Sequence, residues 1–153
     1  MNSSQELPFQ ILLADDDKDD RFFFRHALSQ LSIKTQLTAL EDGEQLITFL
    51  SKNSNKLPDV LFLDLNMPRK NGAECLAEIK SNKKLQLLPV IIYSTSLHES
   101  VADELYKSGA HYYVRKTDLD ELTKVLQQVL TMMKENKFAR PTRKKFVLSL
   151  IEA

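Results

Sequence analysis

Val60-Leu61-Phe62-Leu63-Asp64-Leu65-Asn66-Met67-Pro68 is the stretch that decides the fold. Four apolar residues in a row, with no polar alternate, read as a strand covered on both faces, and Asp64 closes it at the carboxyl end. Pro58-Asp59 opens the strand, and Asn71-Gly72 follows as a turn signal. The same arrangement appears upstream, where the apolar run from Phe9 to Ala14 is cut off by Asp15-Asp16-Asp17. Two buried strands that each deliver carboxylates at their ends, with a lysine, Lys116, at the end of a third, describe a place for a divalent cation and a phosphoryl group.

Working outward, Phe24, Ala27, Leu28 and Leu31 recur at helical spacing and predict a helix from about Lys18 to Leu31. Thr35 to Leu40 is a second strand, Glu41-Asp42-Gly43 a turn signal, and Leu46, Ile47, Phe49 and Leu50 mark a short helix before a polar loop from Ser51 to Lys56. Beyond the Asn71-Gly72 turn, Ala73, Leu76 and Ala77 give a third helix, ended by the polar segment Ser81 to Lys84. Pro89 to Tyr93 is a fourth buried strand. Val101, Ala102, Leu105 and Tyr106 line a fourth helix, which Gly109 can terminate in a left-handed conformation. His111 to Arg115 is a fifth strand. Asp118 can cap a last helix with Glu121 placed for a capping box, and Leu119, Leu122, Leu126, Val129 and Met133 keep its period.

Strand then helix, five times, predicts an α/β fold: a doubly wound, flavodoxin-like (βα)5 with a five-stranded parallel sheet, because parallel neighbours need right-handed crossovers. In the strand order 2-1-3-4-5 the order reverses between the first and third strands, where such sheets bind ligands. Those are the strands ending in Asp15-Asp16 and in Asp64. We expect a lead-in over 1–8, the domain over 9–136 and a basic and apolar extension over 137–153.

Composition narrows the classes. Lysine plus arginine equal aspartate plus glutamate at 21 each in 153 residues, so no bulk charge draws the chain to nucleic acid or to a membrane surface. The apolar runs are too short to span a bilayer, and the N-terminus lacks a signal-peptide pattern. With Cys75 the only cysteine, an intramolecular disulfide and a cysteine-rich metal site are both excluded, and a cytoplasmic setting is expected.

Three carboxylates in one crevice repel one another, and Mg2+ would relieve this with octahedral oxygen ligands and exchangeable waters. Asp16 and Asp64 are the expected direct ligands, Asp15 the ligand through a bound water, and the Asn66 backbone carbonyl a further oxygen. Asp17, Asp19 and Asp20 read as a solvated acidic first turn suited to a helix N-terminus. Helix capping alone would account for Asp15 or Asp16. It does not account for the set, because Ser94 and Lys116 also fall at carboxyl ends of strands. Ser94 can give a hydroxyl to a phosphoryl oxygen, and Lys116 can pair with Asp64 or with the phosphate as a compact charge.

Asp15-Asp16 after an apolar strand, Asp64-Leu65-Asn66-Met67-Pro68 with Asn71-Gly72, Pro89-Val90-Ile91-Ile92 leading to Ser94, and Gly109-Ala110 followed by Tyr113 and Lys116 resemble the receiver domains of two-component response regulators, over about residues 9 to 134. The resemblance implies a chemotaxis-regulator-like phosphoprotein rather than an enzyme. Asp64 would accept a phosphoryl group from a sensor histidine kinase or phosphotransfer protein, with Mg2+, and Ser94, Lys116 and Tyr113 would read the product and change contacts with a downstream protein target. The sequence departs from the family in having Thr117 where proline usually follows the lysine through a cis peptide, so either a strained cis bond is kept or the loop takes another path. Serine at 94 in place of the commoner threonine loses the stiffness of a branched side chain.

Three other functions compete. A haloacid-dehalogenase-type phosphohydrolase would place a second aspartate two residues after the nucleophile, where this chain has Asn66. A receiver-like binding module that is never phosphorylated would have no need of Asp15, Asp16, Asp64, Ser94 and Lys116 together. A DNA-binding regulator would need a reading module, and none is recognisable. His26, His98 and His111 lack ligand spacing and read as surface or packing residues. Phe22-Phe23-Phe24 exceeds what one helix face buries, leaving one ring for a helix edge or an interface. In the extension, Arg140, Arg143, Lys144 and Lys145 precede Phe146-Val147-Leu148-Ser149-Leu150-Ile151, which would dock on its own domain or on a second subunit. It resembles the extended C-terminus of small regulators that partner phytochrome-type kinases, and a homodimer stays open.

Overall fold

A computed structural model of the chain describes residues 7–148. The first six residues and 149–153, which include Ser149, Leu150 and Ile151 of the apolar tail, lie outside the described residues. Five strands, β1 (Phe9–Ala14), β2 (Thr35–Leu40), β3 (Val60–Leu63), β4 (Val90–Ser94) and β5 (Tyr112–Arg115), alternate with five helices, α1 (Lys18–Ser29), α2 (Gly43–Lys52), α3 (Gly72–Ser81), α4 (Glu99–Lys107) and α5 (Leu119–Lys134). All strand pairs are parallel, in the order β2-β1-β3-β4-β5. This is the doubly wound, flavodoxin-like sheet that the alternation predicts.

The central strands are buried on both faces, and period 2 sends their side chains alternately to two cores. Leu12, Ala14, Leu61, Leu63, Val90, Ile92 and Tyr113 face α2, α3 and α4. Ile11, Leu13, Phe62, Ile91, Tyr93 and Val114 face α1 and α5, where the Phe24 ring meets Phe62 edge-on at 5.0 Å and Tyr93 at 5.7 Å. The β1–β3 register pairs Ala14 with Leu63, so the next residue of each strand, Asp15 and Asp64, emerges at the same level.

The starts of α2 and α3 differ in detail from the sequence expectation, and the Asp118 start of α5 meets it. Glu41-Asp42-Gly43, read as a turn, is the start of α2: the Asp42 carboxylate accepts the Gln45 N–H at 2.8 Å. Asn71 caps α3 in a full capping box with Glu74, their side chains and backbone N–H groups bonding reciprocally at 2.9 Å. Asp118 accepts the Glu121 N–H at 2.9 Å to start α5. Gly109 has φ +106°, a conformation that L side chains rarely adopt, and it ends α4 as expected. Of the three consecutive phenylalanines, Phe24 is buried while Phe22 and Phe23 are 64% and 47% exposed, so two rings reach solvent rather than one. Among the described residues no helix is long and apolar enough to cross a membrane.

Candidate phosphoryl-acceptor site

Asp64 leaves β3 with its N–H donating to the Ala14 carbonyl (2.9 Å), and Asp15 leaves β1 with its N–H on the Leu40 carbonyl (3.0 Å). The sheet hydrogen bonding therefore runs through the residue that bears each carboxylate and fixes where it projects. Asp15 and Asp64 are buried and Asp16 is exposed, and one carboxylate oxygen from each lies within 4.8 Å of the others. Three hard oxygen donors with one face open to solvent fit a Mg2+ ion that keeps its waters.

Lys116 enters from the end of β5, its N–H donating to the Ser94 carbonyl at 2.7 Å. No peptide bond among the described residues is cis, so the loop at Thr117 takes the other of the two paths that the sequence leaves open. The Lys116 ammonium lies 2.8 Å from Asp15 Oδ2, 2.9 Å from Asp20 Oδ2 and 3.6 Å from Asp64 Oδ1, and 5.0 Å from the Tyr93 ring centroid. Burial opposes its charge most, but the hydrogen bonds of Asp15 and Asp20 together with the charges of Asp15 and Asp64 outweigh burial and raise its pKa. The lysine is thus held chiefly by Asp15 and Asp20, with Asp64 the most distant of the three.

Asp20 is the residue that sequence reasoning left out, having been grouped with a solvated acidic turn. It sits one turn before the buried Phe24, on the stripe of α1 that faces the sheet, and that spacing could have found it. Asp17, by contrast, is an ordinary cap that accepts the Asp19 and Asp20 N–H groups. Arg21, also unremarked in the sequence, donates to the Asp15 carbonyl at 2.7 Å.

Burial pushes Asp64 up to about 7, with Asp15 and Asp16 adding to the rise and Lys116 and the Asn66 N–H opposing it. Burial likewise raises Asp15, against the hydrogen bond from Lys116. The cluster as it stands therefore has more negative charge than one lysine offsets, which is the condition a divalent cation relieves. The Asn66 N–H donates to the Asp64 carboxylate. Ser94 is fully buried, its hydroxyl beside that of Tyr113. The Tyr113 ring is turned inward and buried, its hydroxyl donating to the Ser96 carbonyl in the loop after β4. The three histidines are apart: His26 stacks on Phe22, His98 precedes α4, and burial lowers His111 to about 4. Cys75 is a core residue whose thiol burial raises to about 11.

Gly72 supports the site from behind. A Cβ there would stand 2.3 Å from the Asp64 carbonyl oxygen and 2.8 Å from Leu65 Cα, both backbone atoms that cannot yield without moving Asp64. Gly72→Ala is expected to destabilise the protein by about 2 kcal/mol or more, in the range of overpacked cores, and to weaken Mg2+ binding in parallel. Urea unfolding with and without Mg2+ checks both.

This fold with carboxylates at the strand-order switch, a lysine beside them and a buried hydroxyl opposite defines a class of signalling protein. The chain belongs to the response regulator receiver domain family of two-component systems, whose pattern matches residues 11–127. It is 33% identical over 134 residues to the response regulator Rcp1 of Synechocystis sp., covering 84% of this chain and 91% of that one. A crystal structure of the Mn2+-bound form of Rcp1 superimposes with a TM-score of 0.74, covering 88% of this chain and all of that one. The phosphorylated cyanobacterial phytochrome response regulator RcpA gives 0.76 at 29% identity, over 85% and 96% of the two chains.

Proposed function

We propose that Asp64 is the phosphoacceptor: it takes a phosphoryl group from a phosphohistidine on a sensor histidine kinase or phosphotransfer protein, with Mg2+, and the product changes the protein's contacts with a downstream target. The observation that carries this reading is the convergence of Asp15, Asp16, Asp64, Ser94 and Lys116 from the ends of four strands. The Mn2+-bound form of Rcp1 and the phosphorylated form of RcpA lend support from the relatives.

In the reaction, an Asp64 carboxylate oxygen forms a bond to phosphorus as the P–N bond of the phosphohistidine breaks, and the leaving imidazole keeps the electron pair. An acyl phosphate results. Asp15, Asp16, Asp64 and the Asn66 carbonyl would hold Mg2+, which when bound offsets charge on the transferring oxygens. Lys116 brings a second positive charge within 3.6 Å of Asp64. The Ser94 hydroxyl is buried beside the Tyr113 hydroxyl. A phosphoryl oxygen on Asp64 would draw it away, and the Ser96 carbonyl that holds Tyr113 lies two residues further on. Ser94, Lys116 and Tyr113 would in this way read the product.

Incubation with a small phosphodonor, with and without Mg2+, tests the proposal by intact mass. One added phosphoryl group that requires Mg2+ is expected, and an unlabelled wild-type protein would remove the basis of the reading. Light scattering on the same samples separates the outputs. A mass that doubles on labelling makes a homodimer the output, and a constant mass points to a different protein as the target.

A further inference from the structure

Lys116 reaches the site on a flexible four-carbon stem from just past the end of β5, and its partners decide where the ammonium rests. Asp15, at the end of β1, lies 2.8 Å from it, and Asp20, in the first turn of α1, accepts a hydrogen bond at 2.9 Å. Asp64 stands 3.6 Å away, outside hydrogen-bond distance. The two supports differ: Asp15 belongs to the carboxylate cluster that fits a cation, and Asp20 lies outside it. Asp20 is itself firmly placed. Its N–H donates to the Asp17 carboxylate at 3.2 Å, and Arg21 beside it ties the same turn to the Asp15 carbonyl at 2.7 Å. One turn on, the buried Phe24 ring packs against Tyr93, whose own ring lies 5.0 Å from the ammonium.

We infer that Asp20 is a positioning residue for phosphoryl transfer: it draws the Lys116 ammonium toward α1 and off Asp64, so that the space beside the Asp64 carboxylate stays open to an incoming phosphoryl oxygen. Of the three ammonium protons, Asp15 and Asp20 occupy two, and the third remains for that oxygen. Without Asp20, the next carboxylate in reach is Asp64 itself. The step from 3.6 Å to the 2.9 Å of the Asp20 contact is a small movement for so flexible a stem, and it would close the lysine onto the nucleophile. A misplacement of about 1 Å at a reacting centre can cost about 100-fold in rate. Asp20 takes no part in the bond changes and acts through Lys116 alone. This role rests on the proposed function, since it is transfer to Asp64 that the lysine's position serves.

Two readouts test it, and the first needs neither metal nor phosphodonor. In proton–nitrogen correlation spectra of the metal-free full chain, the held Lys116 ammonium should give a side-chain signal that Lys116→Met removes. Asp20→Ala should shift or broaden that signal, and Asp20→Glu should restore it. A signal that Asp20→Ala leaves unchanged would overturn the inference whether or not Asp64 is the acceptor. The second readout is the labelling rate with acetyl phosphate at saturating Mg2+. Asp20→Ala should slow labelling by about tenfold or more in an otherwise wild-type chain, with most of the rate kept by Asp20→Glu. In a Lys116→Met chain the same substitution should change the rate by about twofold or less, because its effect passes through the lysine. Equal slowing in both chains would overturn the inference and make Asp20 a general contributor of charge. Asp20 is 30% exposed, and Asp20→Asn, nearly the same in shape, carries the same comparison if Asp20→Ala folds poorly. A wild type that takes no label would overturn the acceptor reading and this role with it, and is told apart by a lysine signal that still depends on Asp20.

Discussion

Asp64→Asn is expected to raise thermal stability at pH 8 by about 5–12 °C while removing phosphoryl acceptance. Burial and two neighbouring carboxylates push Asp64 up to about 7 in the folded protein, from an ordinary value of 3.8. A folded-state pKa above the unfolded one means that the folded chain binds the proton more tightly. The associated stability is present below about pH 4 and is lost as pH rises through about 7. Above that, wild type carries a poorly compensated charge whose cost, discounted for the nearby lysine, is about 2–4 kcal/mol, and asparagine removes it. For a chain of this size about 1 kcal/mol moves Tm by roughly 2–4 °C. The gap between variant and wild type should close toward pH 4, and should also narrow at pH 8 when Mg2+ is added, since the cation stabilises only the protein that binds it well. Thermal unfolding by circular dichroism at pH 4 and pH 8, with and without Mg2+, reads all three. A variant no more stable than wild type at pH 8 would mean that the carboxylate is not strained by its surroundings.

Lys116→Met is expected to act in the opposite sense on stability and to tighten metal binding. The ammonium holds Asp15, Asp20 and Asp64 together, and removing one partner of a buried charge cluster costs about 3–5 kcal/mol. The loss should be largest at pH 8 and shrink toward pH 5 as the carboxylates take up protons. The same lysine competes with a cation for the carboxylates, so its removal should strengthen Mg2+ binding by about tenfold, as expected for a unit charge withdrawn from a few ångströms away. Phosphoryl acceptance should fall nonetheless, because the lysine's charge no longer meets the transferring group. Isothermal titration with Mg2+ and labelling rates separate these effects; weaker Mg2+ binding by the variant would show that Lys116 builds the cation site rather than opposing it.

The contrast between those two residues shows how far the sequence can be read. β3 was legible because Val60-Leu61-Phe62-Leu63 has no polar face, and parallel order then put Asp15 and Asp64 side by side. Ser94 and Lys116 are legible from their places at the carboxyl ends of strands. The partners of Lys116 are not, because a long flexible side chain chooses among carboxylates in three dimensions, and Asp20 looked like one of several acids in a first turn. The tail lay beyond any periodicity: a single β-bridge at Val147 and one buried ring at Phe146 leave no pattern in the sequence, and the choice between docking on itself and docking on a second subunit had stayed open. In the structure it lies on its own β5.

The central claim, that Asp64 is the acceptor, is tested most directly by borohydride reduction after phosphodonor treatment with Mg2+, followed by peptide mass mapping. Reduction converts an aspartyl phosphate to homoserine and so marks the residue that carried it. The account predicts homoserine at position 64 alone, and only when Mg2+ was present. Homoserine at Asp15 or Asp16, or none at all in a protein that binds Mg2+, would contradict it.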